Sequence, residues 1–83
     1  MSVYVDELRS YYDKREWSHM TADTIPELHA FAQSIGVKRC WFHNPRHHNM
    51  PHYDLNPAQR ERAVEAGAVE EGFRERARRL GKI

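Results

Sequence analysis

The stretch WSHMTADTIPELHAFAQSIG, residues 17–36, joins a strand pattern directly to a helix pattern. From residue 17 to residue 22, alternate side chains fall on opposite faces, which is typical of a β-strand. Thr24 and Glu27 have the spacing of a capping box, so a helix is predicted to begin there. Gly36 provides its end, because glycine commonly follows the last helical turn. Leu28 lies on the apolar stripe of this helix, which predicts its burial.

A second strand and helix follow the same order further along the chain. His52–Asp54 predicts a short strand, and Asn56 then caps a helix with Pro57 at its first position. Gln59, three residues after the cap, completes a second capping box. We expect this helix to end near Gly67.

Weaker patterns predict the remaining elements. Short strands are predicted at residues 2–5, 37–42 and 68–70, and a third helix carries Phe73, Ala77 and Leu80 on one stripe. Strands that alternate with helices are typical of α/β folds. The sequence therefore predicts one small α/β domain over residues 1–83, with a short mixed or parallel sheet and about three helices.

Composition limits the classes of protein to which this chain can belong. The 83 residues contain no run near the roughly 20 apolar residues that a membrane span requires. Charged residues from Asp6 to Arg9 interrupt any apolar region of a signal peptide. Cys40 is the single cysteine, which excludes an internal disulfide framework. These features favour a cytoplasmic protein.

Charge is distributed unevenly although the formal net charge is only +1. Residues 1–33 hold six acidic and three basic side chains, whereas residues 34–52 hold three basic side chains and no acidic one. The second segment also contains four of the six histidines, so an anionic ligand is expected there. The near-neutral total argues against a strongly basic nucleic-acid binder.

Aspartates and histidines near the strand ends predict a functional site. Asp6, Asp23 and Asp54 each end or follow a predicted strand, and the carboxyl ends of parallel strands gather at one edge of a sheet. His52 lies two residues before Asp54, so both point to one face. Imidazole and carboxylate groups together suit a divalent metal ion or acid–base chemistry. The predicted catalytic residues are His19, His52 and Asp54, and the predicted metal ligands are Asp6, Asp23, His52 and Asp54.

A phosphate site is predicted beside this pocket. The helix that starts at Asn56 offers backbone N–H donors, and Arg60 adds a positive charge one turn later. Each residue also has a structural interpretation. Asp23 and Asp54 can stabilise a helix N-terminus, and His19 can be a hydrogen-bonded core histidine.

A zinc site is an alternative that the ligand types permit but the spacing does not favour. The available side chains are Cys40, His43, His47, His48 and His52. Their spacing matches no zinc-finger pattern. Cys40 shares a predicted strand face with Phe42, which predicts burial in the core rather than metal binding.

Several segments resemble a known family over nearly the whole chain. They are VYVD at residues 3–6, WSHM at 17–20, ADT at 22–24, ELH at 27–29, WF at 41–42, HYDL at 52–55 and GAV at 67–69, with Arg39, Arg60 and RE at 74–75. The family is the domain of unknown function 4031, small proteins of bacteria and their phages. The resemblance implies a bacterial or phage origin and no particular activity. The family's motif residues fall at His19, Asp23, His52, Asp54 and Arg60.

Two functions follow as expectations. The first is metal-assisted phosphoester hydrolysis in a pocket lined by His19, His52 and Asp54, with Arg60 turned toward it; a divalent metal ion is its expected cofactor. The alternative is a module that binds a nucleotide, a nucleic acid or a protein without turnover. Two Trp, four Tyr and three Phe are many large rings for a small core, so a homo-oligomer is also expected.

Overall fold

The computed structural model describes residues 2–10, 15–43 and 51–72, together with Glu75 and Arg78. The elements of these residues, in chain order, are β1 (Val3–Val5), β2 (Arg9–Ser10), β3 (Glu16–Ala22), α1 (Ile25–Ser34), a single-turn 3₁₀ helix (Arg39–Trp41), β4 (Phe42–His43), β5 (His52–Leu55), α2 (Pro57–Glu65) and β6 (Val69–Glu70). The chain is therefore a small α/β domain. Neither α-helix of the described residues is long and apolar enough to cross a membrane.

The sheet is mixed, and its strand order is β4-β5-β3-β1-β6, with β2 paired to β3. In the part of the chain that the structure describes, β1 and β6 form the one parallel pair, and the other strand pairs are antiparallel. Since β1 and β5 both run antiparallel to β3, their carboxyl ends lie at the same end of the strands. The carboxyl end of β3 lies at the opposite end.

Local capping interactions determine where both helices begin. The Thr24 hydroxyl accepts a hydrogen bond from the Glu27 backbone N–H at 3.3 Å. At α2 the capping box is reciprocal: Asn56 Oδ1 accepts from the Gln59 N–H at 2.8 Å, and the Asn56 N–H donates to Gln59 Oε1 at 2.9 Å. Gly36 follows α1 with a φ of 79°, a conformation that favours glycine. The predictions of both helices are confirmed.

Three sequence predictions need correction. The strand predicted at residues 37–42 is mostly a 3₁₀ turn, closed by a hydrogen bond from the Trp41 N–H to the Lys38 carbonyl at 3.0 Å. Cys40 lies on this turn and is exposed, not buried in the core. The described residues also contain two α-helices rather than about three. The third was predicted on Phe73, Ala77 and Leu80, which lie outside the described residues.

The hydrophobic core lies between the helices and one face of the sheet. Along β5 the burial alternates: Tyr53 and Leu55 are fully buried, whereas His52 and Asp54 are only partly buried. The core residues are Val3, Val5, Met20, Leu28, Ala32, Ile35, Val37, Tyr53, Leu55, Ala63 and Ala68. This period of two leaves the side chains of His52 and Asp54 on the other face of the sheet.

Candidate metal site on the sheet face

Three histidines and one aspartate meet on the sheet face opposite the core. They are His19, His43, His52 and Asp54, and we name them the His/Asp cluster. In the strand register, His19 on β3 lies directly opposite Asp54 on β5, and His43 on β4 lies directly opposite His52. Because directly opposite residues share a face, as do residues two apart on one strand, all four side chains project from the same surface.

The imidazoles of the cluster converge on the Asp54 carboxylate. Its Oδ1 lies 3.4 Å from Nε2 of His52 and 3.7 Å from Nε2 of His19. Its Oδ2 lies 3.3 Å from Nε2 of His43. The His19 and His52 rings meet edge-on with centroids 4.8 Å apart, and the His43 and His52 rings stack at 5.3 Å. These distances bring together two histidines from different strands around one carboxylate, with a third at the sheet edge.

A buried carboxylate holds His19 from behind. Asp6 is only 2% exposed, and its Oδ2 lies 2.8 Å from His19 Nδ1. Its Oδ1 accepts hydrogen bonds from the His19 backbone N–H at 2.6 Å and from the Ser18 hydroxyl at 3.1 Å. We assign the Nδ1 proton of His19 from this contact, since a carboxylate can only accept. The Nε2 atom of His19 then faces Asp54 Oδ1, 3.7 Å away.

Both carboxylates remain ionised far below neutral pH. Burial raises the pKa of Asp6, but hydrogen bonds from the His19 side chain and backbone, with the nearby His19 charge, outweigh burial and hold that pKa below its ordinary value. Burial also raises the pKa of Asp54. The hydrogen bond from His52 and the charges of His52, His19 and His43 outweigh it, so this pKa is lowered as well. Each of the two carboxylates therefore presents a negative charge to a cation.

Asp23, predicted as a metal ligand at the same edge, is not brought to the cluster. Its carboxylate accepts hydrogen bonds from the Ser2 N–H at 2.9 Å and from the Tyr4 hydroxyl at 3.0 Å. It follows the carboxyl end of β3, four residues beyond His19, which corresponds to about 13 Å of strand. The expectation that all three strand ends converge is corrected, because β3 runs antiparallel to its neighbours.

The predicted phosphate ligands lie behind the cluster and already have protein partners. Arg60 donates from Nε to the Asp6 carbonyl at 2.9 Å and from Nη1 to Glu70 Oε1 at 3.1 Å. Asn56 uses its side chain to cap α2 through Gln59. Arg60 therefore supports the backbone that carries Asp6, and its role as a phosphate ligand stays a prediction.

His43 was predicted only within the zinc alternative, together with Cys40. The pairing of β4 with β5 brings His43 next to His52. Because eight residues separate the two histidines in the chain, no short sequence motif indicates this contact. His47 and His48, also part of that alternative, lie outside the described residues. Cys40 is exposed on the 3₁₀ turn.

The geometry suits one metal ion. Among the described residues, one group of three metal-ligating side chains has its ligand atoms within 4.8 Å of one another: His19, His52 and Asp54. Ligand atoms around a single zinc-type ion stand about 3–4 Å apart, given metal–ligand distances of about 2.0–2.2 Å. Small rotamer changes would bring all three atoms to one ion. Asp6 would then orient His19 from behind, as outer carboxylates commonly do for metal-bound histidines.

Comparison with known proteins gives one result. The family model described as "Protein of unknown function (DUF4031)" matches residues 3–83. No curated protein and no solved structure matches the chain.

Proposed function

The chain belongs to the DUF4031 family, whose description assigns no activity, and we propose that its His/Asp cluster binds a divalent transition-metal ion for phosphoester hydrolysis. The observation that carries this proposal is the approach of His19, His52 and Asp54 to within 4.8 Å of one another. Imidazole nitrogens favour zinc and similar ions over magnesium or calcium, which prefer oxygen ligands.

The hydrogen-bonding pattern of His19 supports this choice. With its Nδ1 proton directed to Asp6, His19 presents Nε2 to Asp54 Oδ1 at 3.7 Å. A metal ion between these two atoms would contact both. The fixed orientation of His19 also lowers the cost of binding, because Asp6 has already restricted the ring.

Three protein ligands would leave a coordination position for water or substrate. A zinc-type ion supplies a water whose pKa is lowered to near 7, and it polarises a phosphoryl oxygen. The protein residues would hold the ion, and Asp6 would keep His19 in the ligating tautomer. The proposal also includes a phosphate-containing ligand, and nucleic acid is one candidate for it.

One observation favours the alternative of a binding module without turnover. His43 Nε2 lies only 3.3 Å from Asp54 Oδ2, so His43 is available as a fourth ligand. Four protein ligands would close the coordination sphere, which is typical of structural zinc sites rather than catalytic ones. The number of ligands therefore separates the two functions.

The proposal also covers the location of the protein in the cell. We place the protein in the cytoplasm of a bacterium or of a phage-infected cell, on the strength of its family resemblance and its composition. A homo-oligomer remains a proposal that rests on the content of large aromatic side chains.

Metal binding is tested first, by calorimetric titration of the metal-free chain with Zn²⁺ and Mn²⁺. We expect one Zn²⁺ ion per chain, at least ~100-fold weaker binding for His52→Ala and Asp54→Asn, and no change for His29→Asn. His29 is the matched control, since it is a histidine on the core side of the sheet. Binding that survives both cluster substitutions would contradict the proposal.

Turnover is tested next, with bis(p-nitrophenyl) phosphate as the probe and Zn²⁺ or Mn²⁺ supplied. Hydrolysis that is lost in His52→Ala and kept in His29→Asn supports the hydrolase. If metal binds without hydrolysis and His43→Gln weakens it strongly, the site is closed and the binding module is correct. If His43→Gln leaves metal affinity unchanged, the coordination sphere is open.

A further inference from the structure

A second site lies on the other side of β5, beside the 3₁₀ turn. A cleft of about 590 Å³ opens there, with walls that include His29, Gln33, Val37, Lys38, Arg39 and Tyr53. Its volume falls within the range of small-molecule sites, about 300–1,000 Å³. Tyr53 belongs to the core face, so the cleft is separated from the His/Asp cluster by the sheet itself. We name it the Lys38/Arg39 cleft.

Among the described residues that line this cleft, the charged side chains are all positive. Lys38 and Arg39 are adjacent cations, and none of the lining residues is acidic. Aromatic faces support these cations: Lys38 Nζ lies 5.5 Å from the Trp41 ring centroid, and Arg39 Cζ lies 5.1 Å from that of Phe42. An aromatic ring attracts a cation but does not neutralise it. Two positive charges are thus held in place without a carboxylate partner in the described part of the chain.

The histidine of the cleft is hydrogen-bonded to a buried tyrosine and is kept neutral. His29 Nδ1 lies 2.8 Å from the Tyr53 hydroxyl. Burial raises the pKa of Tyr53, so the phenol keeps its proton at neutral pH. Burial and the Arg39 charge lower the pKa of His29, which favours the neutral ring. Gln33 adds an amide group to the same walls.

From these groups we infer that the Lys38/Arg39 cleft binds a small organic phosphate monoester. A phosphate dianion matches the two adjacent cations, and guanidinium groups donate hydrogen bonds to phosphate in pairs. The apolar part of the ligand packs against Val37 and the Tyr53 ring, which line the cleft. This site is separate from the proposed metal centre and does not depend on it.

The test uses the full chain in EDTA, so that hydrolysis at the His/Asp cluster cannot interfere. Phenyl phosphate is titrated while the backbone amide signals of residues 36–39 are followed by NMR. We expect saturable shifts there, binding at least about ten-fold weaker in Arg39→Met, and inorganic phosphate weaker than phenyl phosphate. Arg9→Met is the matched control, because Arg9 is an exposed cation on β2, outside the cleft, and it should leave the affinity unchanged.

Three results would overturn the inference. They are no shift of residues 36–39 at about 10 mM probe, equal affinity in Arg39→Met, and shifts confined to the His/Asp cluster. Inorganic phosphate that binds as tightly as phenyl phosphate would overturn the organic part of the assignment. Lys38→Met provides a second variant if Arg39→Met does not fold, and it too should weaken binding.

Discussion

The two faces of the sheet place histidine in opposite electrostatic surroundings. On the face opposite the core, His19 Nδ1 lies 2.8 Å from the Asp6 carboxylate. On the core face, His29 Nδ1 lies at the same distance from the Tyr53 hydroxyl. The first partner is an anion, which favours a proton or a cation on the ring. The second is neutral, and the Arg39 charge nearby lowers the pKa of His29.

The two hydrogen bonds are equally long, so the histidines differ in the charge of their partners and not in geometry. A ring oriented by a carboxylate is prepared to ligate a metal ion through its other nitrogen. In the Lys38/Arg39 cleft, the two cations would attract the anion that we propose, and the neutral His29 ring adds no charge. One strand, β5, supplies residues to both faces, because its side chains alternate.

The largest expected effect is a difference in unfolding free energy between substitutions on the two faces of the sheet. Leu55→Ala should lower the free energy of unfolding by about 2–5 kcal/mol, because it opens a cavity in the core. His52→Ala, on the other face of the same strand, should cost at most about 1 kcal/mol in metal-free protein. Urea denaturation in EDTA measures both. Similar losses for the two variants would show that both faces contribute equally to the core.

The second prediction concerns the orientation of His19. In Asp6→Asn the amide oxygen can keep the backbone contact, and the amide NH₂ then faces Nδ1 of His19. Nδ1 must become an acceptor, which moves the ring proton to Nε2 and blocks the metal-binding atom. We expect Zn²⁺ affinity to fall about 10–100-fold.

Imidazole ¹⁵N chemical shifts identify the tautomer without metal, and calorimetry gives the affinity. Asp23→Asn is the matched control, since Asp23 is also a hydrogen-bonded carboxylate but lies at the other end of β3. An unchanged tautomer in Asp6→Asn would contradict the positioning role of Asp6. A changed tautomer without any metal binding in the wild type would contradict the metal proposal alone.

The sequence predicted those features that depend on neighbouring residues. Both capping boxes are local, so the starts of α1 and α2 could be read from Thr24 and Asn56. The shared face of His52 and Asp54 also follows from a spacing of two. These parts of the fold and of the candidate site were therefore predictable.

Strand direction and pairing were not predictable, because they join residues far apart in the chain. The site was inferred from parallel strand ends, which would have included Asp23. Antiparallel pairing instead places His19 opposite Asp54 in the strand register. It leaves Asp23 beyond the carboxyl end of β3, away from the carboxyl ends of β1 and β5. Asp6 was predicted as a ligand, but its burial and contacts with His19 emerge only when β1 pairs with β3.

The third prediction is that the two faces lose stability in different ranges of pH. The pKa of His29 is lower in the folded chain than its ordinary 6.5, so the unfolded chain takes up this proton first. The contribution of His29 is complete above that value and falls as the pH drops below it. The pKa of Asp54 is also lowered, from 3.8, so its contribution is lost only as the pH falls below about 4.

Both effects are measured by the free energy of unfolding from about pH 7 to pH 2.5, when the value for each variant is subtracted from that of the wild type at the same pH. The difference between wild type and His29→Asn should shrink between about pH 7 and 5, and that between wild type and Asp54→Asn only below about pH 4. A single common range for both differences would contradict the separation of the two faces.

The smallest expected effect isolates the charge on the core face. The larger cause of the lowered pKa of His29 is burial, and the Arg39 charge is the second cause. Arg39→Met removes that charge while it keeps an apolar side chain against Phe42, so the pKa of His29 should rise but stay below its ordinary value. The pKa of Tyr53 should rise further, because Arg39 lowers it. NMR titration of the His29 ring measures the shift, and Lys38→Met should leave it nearly unchanged. An unchanged pKa in Arg39→Met, or equal shifts in both variants, would show that the Arg39 charge does not act on His29.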